Sequence, residues 1–128
     1  MENINDESKW TKFVEQLIAS TKKGDITWGN PPGGVERENA VGPLFFAEIV
    51  PGKYVSIYRY EYRYYVDEDE YELRRDIAIE LVDESGAKLW RLPNVRPRHE
   101  LIDLIEFQAA DALGTLEAFL GMNQSENQ

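Results

Sequence analysis

The chain of 128 residues contains no cysteine, and that single absence excludes disulfide bridges, thiolate catalysis and thiolate-bound metal. It has one histidine, His99, which rules out a histidine-built zinc constellation. Basic side chains are scarce: 14 Lys and Arg stand against 24 Asp and Glu, for a net charge of −10. Such a balance repels nucleic acid and anionic membranes while steering a basic partner inward, or it does no more than keep a soluble protein dispersed. No apolar run approaches membrane-spanning length, and residues 1–7 lack the basic and apolar regions of a leader peptide. A cytoplasmic protein without cofactor is therefore expected. The length suits one domain, expected over residues 1–121, with 122–128 as a disordered polar tail.

What the chain has instead is aromatic side chains, and seven of them are tyrosines concentrated between Tyr54 and Tyr71. The stretch Tyr54 to Tyr65 is rich in β-branched and aromatic residues with a period of two, and Leu73, Ile77, Ile79 and Leu81 alternate after it. The turn Asp67-Glu68-Asp69-Glu70 separates them, so a long hairpin is expected. Pairing residues whose numbers sum to 136 sets Val55 opposite Leu81, Ile57 opposite Ile79 and Glu61 opposite Arg75 on one face. It sets Tyr60 opposite Asp76 and Tyr62 opposite Arg74 on the other, so both faces become chemically uniform.

The remainder reads as cover for that hairpin. Trp10, Phe13, Val14, Leu17, Ile18 and Thr21 fall on one side of an amphipathic helix, which Asn5, Asp6 or Ser8 can cap and Gly24 stops. Asp25 to Trp28 is a short strand candidate. The segment from Gly29 to about Gly42, with Pro31, Pro32, Gly33 and Gly34, reads as a surface loop. Strands follow at Leu44 to Val50 and Leu89 to Leu92, and a second helix spans about Arg98 to Leu120. Its apolar residues include Leu101, Leu104, Ile105, Leu116 and Leu120, widened by Phe107, Leu113 and Phe119. The expected fold is α+β: a two-layer sandwich, with an antiparallel sheet of about five strands and both helices on one face.

Three candidate sites emerge. The even-numbered tyrosines point one way in an extended strand, so a partner-binding face is expected from Tyr58, Tyr60, Tyr62, Tyr64, Arg74 and Asp76. The same pattern also suits cross-strand packing that only stiffens an exposed sheet, or association of two copies through that face. Trp28 with Glu36 and Arg37 forms the candidate small-ligand region beside the loop, the fallback for a binding protein or an enzyme. Arg59, Arg63, Arg74 and Arg75 interleave with aromatics like a nucleic-acid stacking platform, but Glu61, Glu72, Asp76 and Glu80 are close enough to neutralise them. The acids of the turn lack the ligand spacing and central glycine of a calcium loop. They suit a solvated tip that blocks edge-to-edge pairing. Neither a catalytic set nor a metal site is nominated.

The run from Leu17 to Trp28 resembles the opening of small uncharacterised bacterial α+β proteins, in which a helix passes through a Thr-x-x-Gly turn into a strand ending in Trp. Shorter likenesses continue at Phe46-Ala47, Ile79 to Gly86 and Leu101 to Ile105. The resemblance implies the same element order and carries no activity with it. From the residues, the expected function is a noncatalytic protein-binding domain, an acidic inhibitor or immunity-type partner of a basic protein. The alternatives are a self-associating structural protein and a small-ligand binder or enzyme at the Trp28 loop.

Overall fold

The computed structural model describes residues 6–126, apart from the side chains of 123–126. It shows an α+β fold in which four strands form an open antiparallel meander in the order β1-β2-β3-β4. These are β1 (Phe45–Val50), β2 (Lys53–Tyr65), β3 (Tyr71–Val82) and β4 (Lys88–Arg91). α1 (Glu7–Lys23) precedes them, and α2 (Arg98–Ala109) and α3 (Ala112–Glu126) follow. The fifth expected strand, at Asp25 to Trp28, is reduced to one bridge between Gly29 and Phe46. Its backbone is engaged elsewhere, because the amides of Asp25 and Ile26 turn back to the Ser20 carbonyl.

α1 begins at Asp6, whose carboxylate accepts from the Ser8 amide at 3.0 Å; of the other candidate caps, Asn5 lies outside the described residues. It ends at Gly24, where φ is 82°, a left-handed conformation open to glycine at little cost. Val14, Leu17, Ile18 and Thr21 are its buried residues. Val14, Leu17 and Ile18 meet Leu101, Ile102 and Ile105 of α2 and the odd-numbered side chains Val55, Ile57, Ile77 and Ile79 of the sheet in one core. Each such buried aliphatic side chain stabilises the fold by about 1.5–3 kcal/mol. The hairpin pairs in the expected register, from Tyr54 opposite Val82 to Tyr65 opposite Tyr71.

The second helix departs from expectation by breaking. Asp111 takes a φ of 47°, and its carbonyl accepts from the Thr115 amide to start α3. A Cβ on Gly114 would lie 2.5 Å from an Asp111 carboxylate oxygen. The absent side chain thus leaves the room that the carboxylate occupies over the first turn. α3 then runs to Glu126 through most of the segment expected as a polar tail; residues 127 and 128 lie outside the described ones. The break turns Leu113, Leu116, Phe119 and Leu120 away from the core against which they were expected to pack, and all four are exposed.

Candidate protein interaction surface

The tyrosine row lies along β2, and three layers of structure treat its members differently. On the helix side, α2 reaches only as far as Arg59, whose guanidinium donates to Asp103 at 2.9 Å and to Glu106 at 2.6 Å. The Arg59 hydrogen bond holds the Glu106 carboxyl below its ordinary value, against a smaller opposing effect of burial. In the sheet plane, β1 accompanies β2 no further than Ile57, and β4 pairs only with Glu80 to Val82. Past Ile57, residues 39–41 take over that edge: Ala40 bridges to Tyr60, and the Val41 and Glu61 amides donate to the Arg59 and Asn39 carbonyls. Beyond Glu61 the hairpin continues as a two-stranded ribbon from Tyr62 opposite Arg74 to Tyr65 opposite Tyr71, roughly 13 Å at the rise of a strand.

The third layer was not foreseen. The segment 29–43 lies over the opposite face of the sheet, where Val35, Ala40, Leu44 and Ala78 pack with Tyr58 and Tyr60 in a second core. Arg37 fastens it: its Nε donates to Glu80 at 2.9 Å and its Nη2 to the Gly86 carbonyl at 2.8 Å. Glu80 is 1% exposed and also accepts from the Tyr58 hydroxyl at 2.9 Å. Burial, and after it the Glu80 carboxylate, push the Tyr58 phenol up to about 12. A phenol sealed in this way, 7% exposed, is a core residue that pins the loop, and the open face expected from Tyr58 onward begins later.

Tyr60 is at the boundary, half-buried, with Arg91 donating to its hydroxyl at 2.6 Å. Opposite it, Asp76 is held by Arg98 of α2 at 2.8 Å. Burial opposes ionisation of Asp76, but the bonds from Arg98 and the Ile77 amide outweigh it, so its carboxyl stays below the ordinary range. Tyr62 and Tyr64 are 37% and 44% exposed. Arg74 lies over the Tyr64 ring at 3.5 Å, a cation–π contact that ties the two strands together. Of the six residues expected on the partner-binding face, the structure therefore leaves Tyr62, Tyr64 and Arg74 on the bare ribbon.

The ribbon's other side holds what the sequence reading missed. Tyr65 and Tyr71 pair across the strands with rings 5.7 Å apart, and Arg63 lies over Tyr71 at 4.8 Å. Leu73, which alternates with Ile77 and Ile79 along the strand, is 60% exposed, because no helix extends above it. The available signal was length. β2 and β3 have 13 and 12 residues against 6 and 4 for β1 and β4, so their far ends must overhang. A groove of about 590 Å³ wraps this edge between Asn39 to Val41 of the loop and Glu61, Tyr62, Arg63 and Leu73.

The candidate ligand region is divided. Glu36 and Arg37 line a shallow surface depression that includes neither Trp28 nor His99. Trp28 is turned inward, its Nε1 donating to the Thr21 hydroxyl at 3.0 Å, while His99 lies on the helix side near Arg59 and Asp76. Among the described residues no group of three or more His, Cys, Asp or Glu side chains has the geometry to hold a metal ion, and no helix is long and apolar enough to cross a membrane.

The fold and surface together define an open α+β sandwich with an overhanging aromatic ribbon. No family model, no curated protein and no solved structure matches the chain, so the reading of its function rests on the geometry above.

Proposed function

We propose that the chain is a noncatalytic protein-binding domain, an acidic inhibitor or immunity-type partner of a basic protein, and that the overhanging ribbon is its contact surface. One observation carries the reading: Tyr62, Tyr64, Tyr65 and Tyr71 are all more than a third exposed on a ribbon that outruns every covering element. Exposed tyrosines bury large areas on binding and lose few rotors, which is why they recur at the centres of interfaces. Around them stand Asp67, Glu68, Asp69, Glu70 and Glu72, every one exposed. This arrangement gives an aromatic centre an acidic rim, and the rim speeds encounter with a cationic surface. A second copy is disfavoured here, since each ribbon would bring the same acids to the contact.

The proposed setting is the cytoplasm of a bacterial cell, supported by the cysteine-free composition and by the short-motif resemblance. The test compares three immobilised proteins: the unaltered chain, a Tyr62→Ala/Tyr64→Ala double variant, and a variant with Asp67, Glu68, Asp69 and Glu70 changed to their amides. A saturable partner should be retained by the first and lost from the second. Its association rate should fall with salt for the first and much less for the third. A partner held equally well by all three would refute the assignment of the ribbon.

A further inference from the structure

α3 carries an apolar stripe that no other described residue covers. Leu113, Leu116, Phe119, Leu120 and Met122 are each between 49% and 65% exposed. At ~100° per residue they fall on one side of the helix, with Leu116 and Phe119 near its middle and Glu117 beyond its border. A helix of this length gains most of its stability from packing one face, so a bare apolar face is a contact waiting for its other half.

We propose that the other half is a second copy of this chain, joined through an isologous contact of α3 against α3. The charge distribution selects that occupant. Between Ala112 and Met122 the only ionisable side chain is Glu117, in a molecule whose net charge is −10. Two copies repel one another over most of their surfaces, and this stripe lets them meet without placing like charges face to face. A basic partner finds no acid within the stripe to pair with. A membrane surface is equally unsuited, because helices that lie in it carry Lys and Arg along their polar side, and α3 has neither. The area agrees. Five side chains with on the order of 100 Å² bare on each give about 1,000 Å² across a twofold axis, the lower limit of a specific interface. The dimer is accordingly weak and depends on concentration.

Because the chain has no cysteine, a single introduced thiol reports on its own surroundings. Full-length protein bearing Leu116→Cys, near the middle of the stripe, should be trapped by a mild oxidant as a disulfide-linked dimer, and Tyr62→Cys should not. In sedimentation velocity the unaltered chain should pass from monomer to dimer as its concentration rises. Added salt should favour the dimer by screening the repulsion between two anions. Leu116→Glu should raise the dissociation constant by about tenfold or more, with an unchanged circular dichroism spectrum, because it buries a charge at the contact. A single monomeric species at every concentration would overturn the proposal. So would a dimer indifferent to Leu116→Glu, or co-sedimentation with phosphatidylcholine vesicles in place of self-association.

Discussion

The two halves of the central hairpin have the same strands, the same register and the same alternation, yet they have opposite fates. From Ser56 to Tyr58, with Ala78 to Glu80 opposite, every residue is buried. From Tyr62 to Tyr65, with Tyr71 to Arg74 opposite, every residue is exposed. Composition separates them in part, since the first half carries Val55, Ile57, Ile77 and Ile79 where the second carries mostly tyrosine, arginine and glutamate. What lies above them differs as well: α1 and α2 on one face and the segment 29–43 on the other end at about the same place. The second half keeps its shape through ring and guanidinium contacts between its strands, a requirement for a ribbon that has no third strand beside it. The aromatic side chains that hold the ribbon together are also the surface it presents.

The largest test of this contrast is Glu80→Ala. It leaves the Arg37 Nε and the Tyr58 hydroxyl without their acceptor and removes the carboxylate that balances the Arg37 charge, which should destabilise the fold by about 3–5 kcal/mol in urea unfolding. Next comes a pair on one strand and one face: Ile79→Ala should cost about 2–5 kcal/mol, and Leu73→Ala less than about 0.5 kcal/mol. Equal losses at the two positions would end the distinction between the halves.

Acid should act on the boundary between them. Asp76 and Glu106 both have folded-state values below ordinary, so their contribution is complete above the unfolded values near pH 4. It is lost as pH falls through the lower folded values. The urea midpoint should therefore drop below about pH 4, and Arg98→Gln should flatten that drop. The smallest effect is spectroscopic. With the Tyr58 phenol raised to about 12, its stabilisation is complete below the unfolded value near pH 10 and fades as pH rises through the folded one. An alkaline titration of phenolate absorbance should show a late component that disappears in Tyr58→Phe; its persistence there would mean that the buried phenol is another residue.

Much of the architecture was legible because it is periodic. The stripe from Val14 to Thr21 and the alternation from Val55 to Ile57 and from Ile77 to Leu81 repeat at the spacing of a helix and of strands, and the hairpin register follows from keeping two faces chemically uniform. The segment 29–43 has no period. Its hold on the sheet depends on Arg37 meeting Glu80, 43 residues away, and no local pattern encodes that meeting. The break at Asp111 is hidden for a different reason. The residues on both sides keep good helical spacing, and one positive φ redirects everything after it. As for the candidate surface, Tyr62, Tyr64 and Arg74 could be nominated from alternation, but the exposure of Tyr65, Tyr71 and Leu73 required knowing where the cover stops.

The order of residues was enough to determine the first helix, the start of the second, the antiparallel ribbon between them and which side chains share a face, because these depend on neighbours a few positions apart. Which stretch of that ribbon is sealed, which tyrosine becomes core, and that a final apolar helix is left bare were decided only when distant segments met. Alternation states which side of a strand a residue takes; only a packed neighbour removes that side from water.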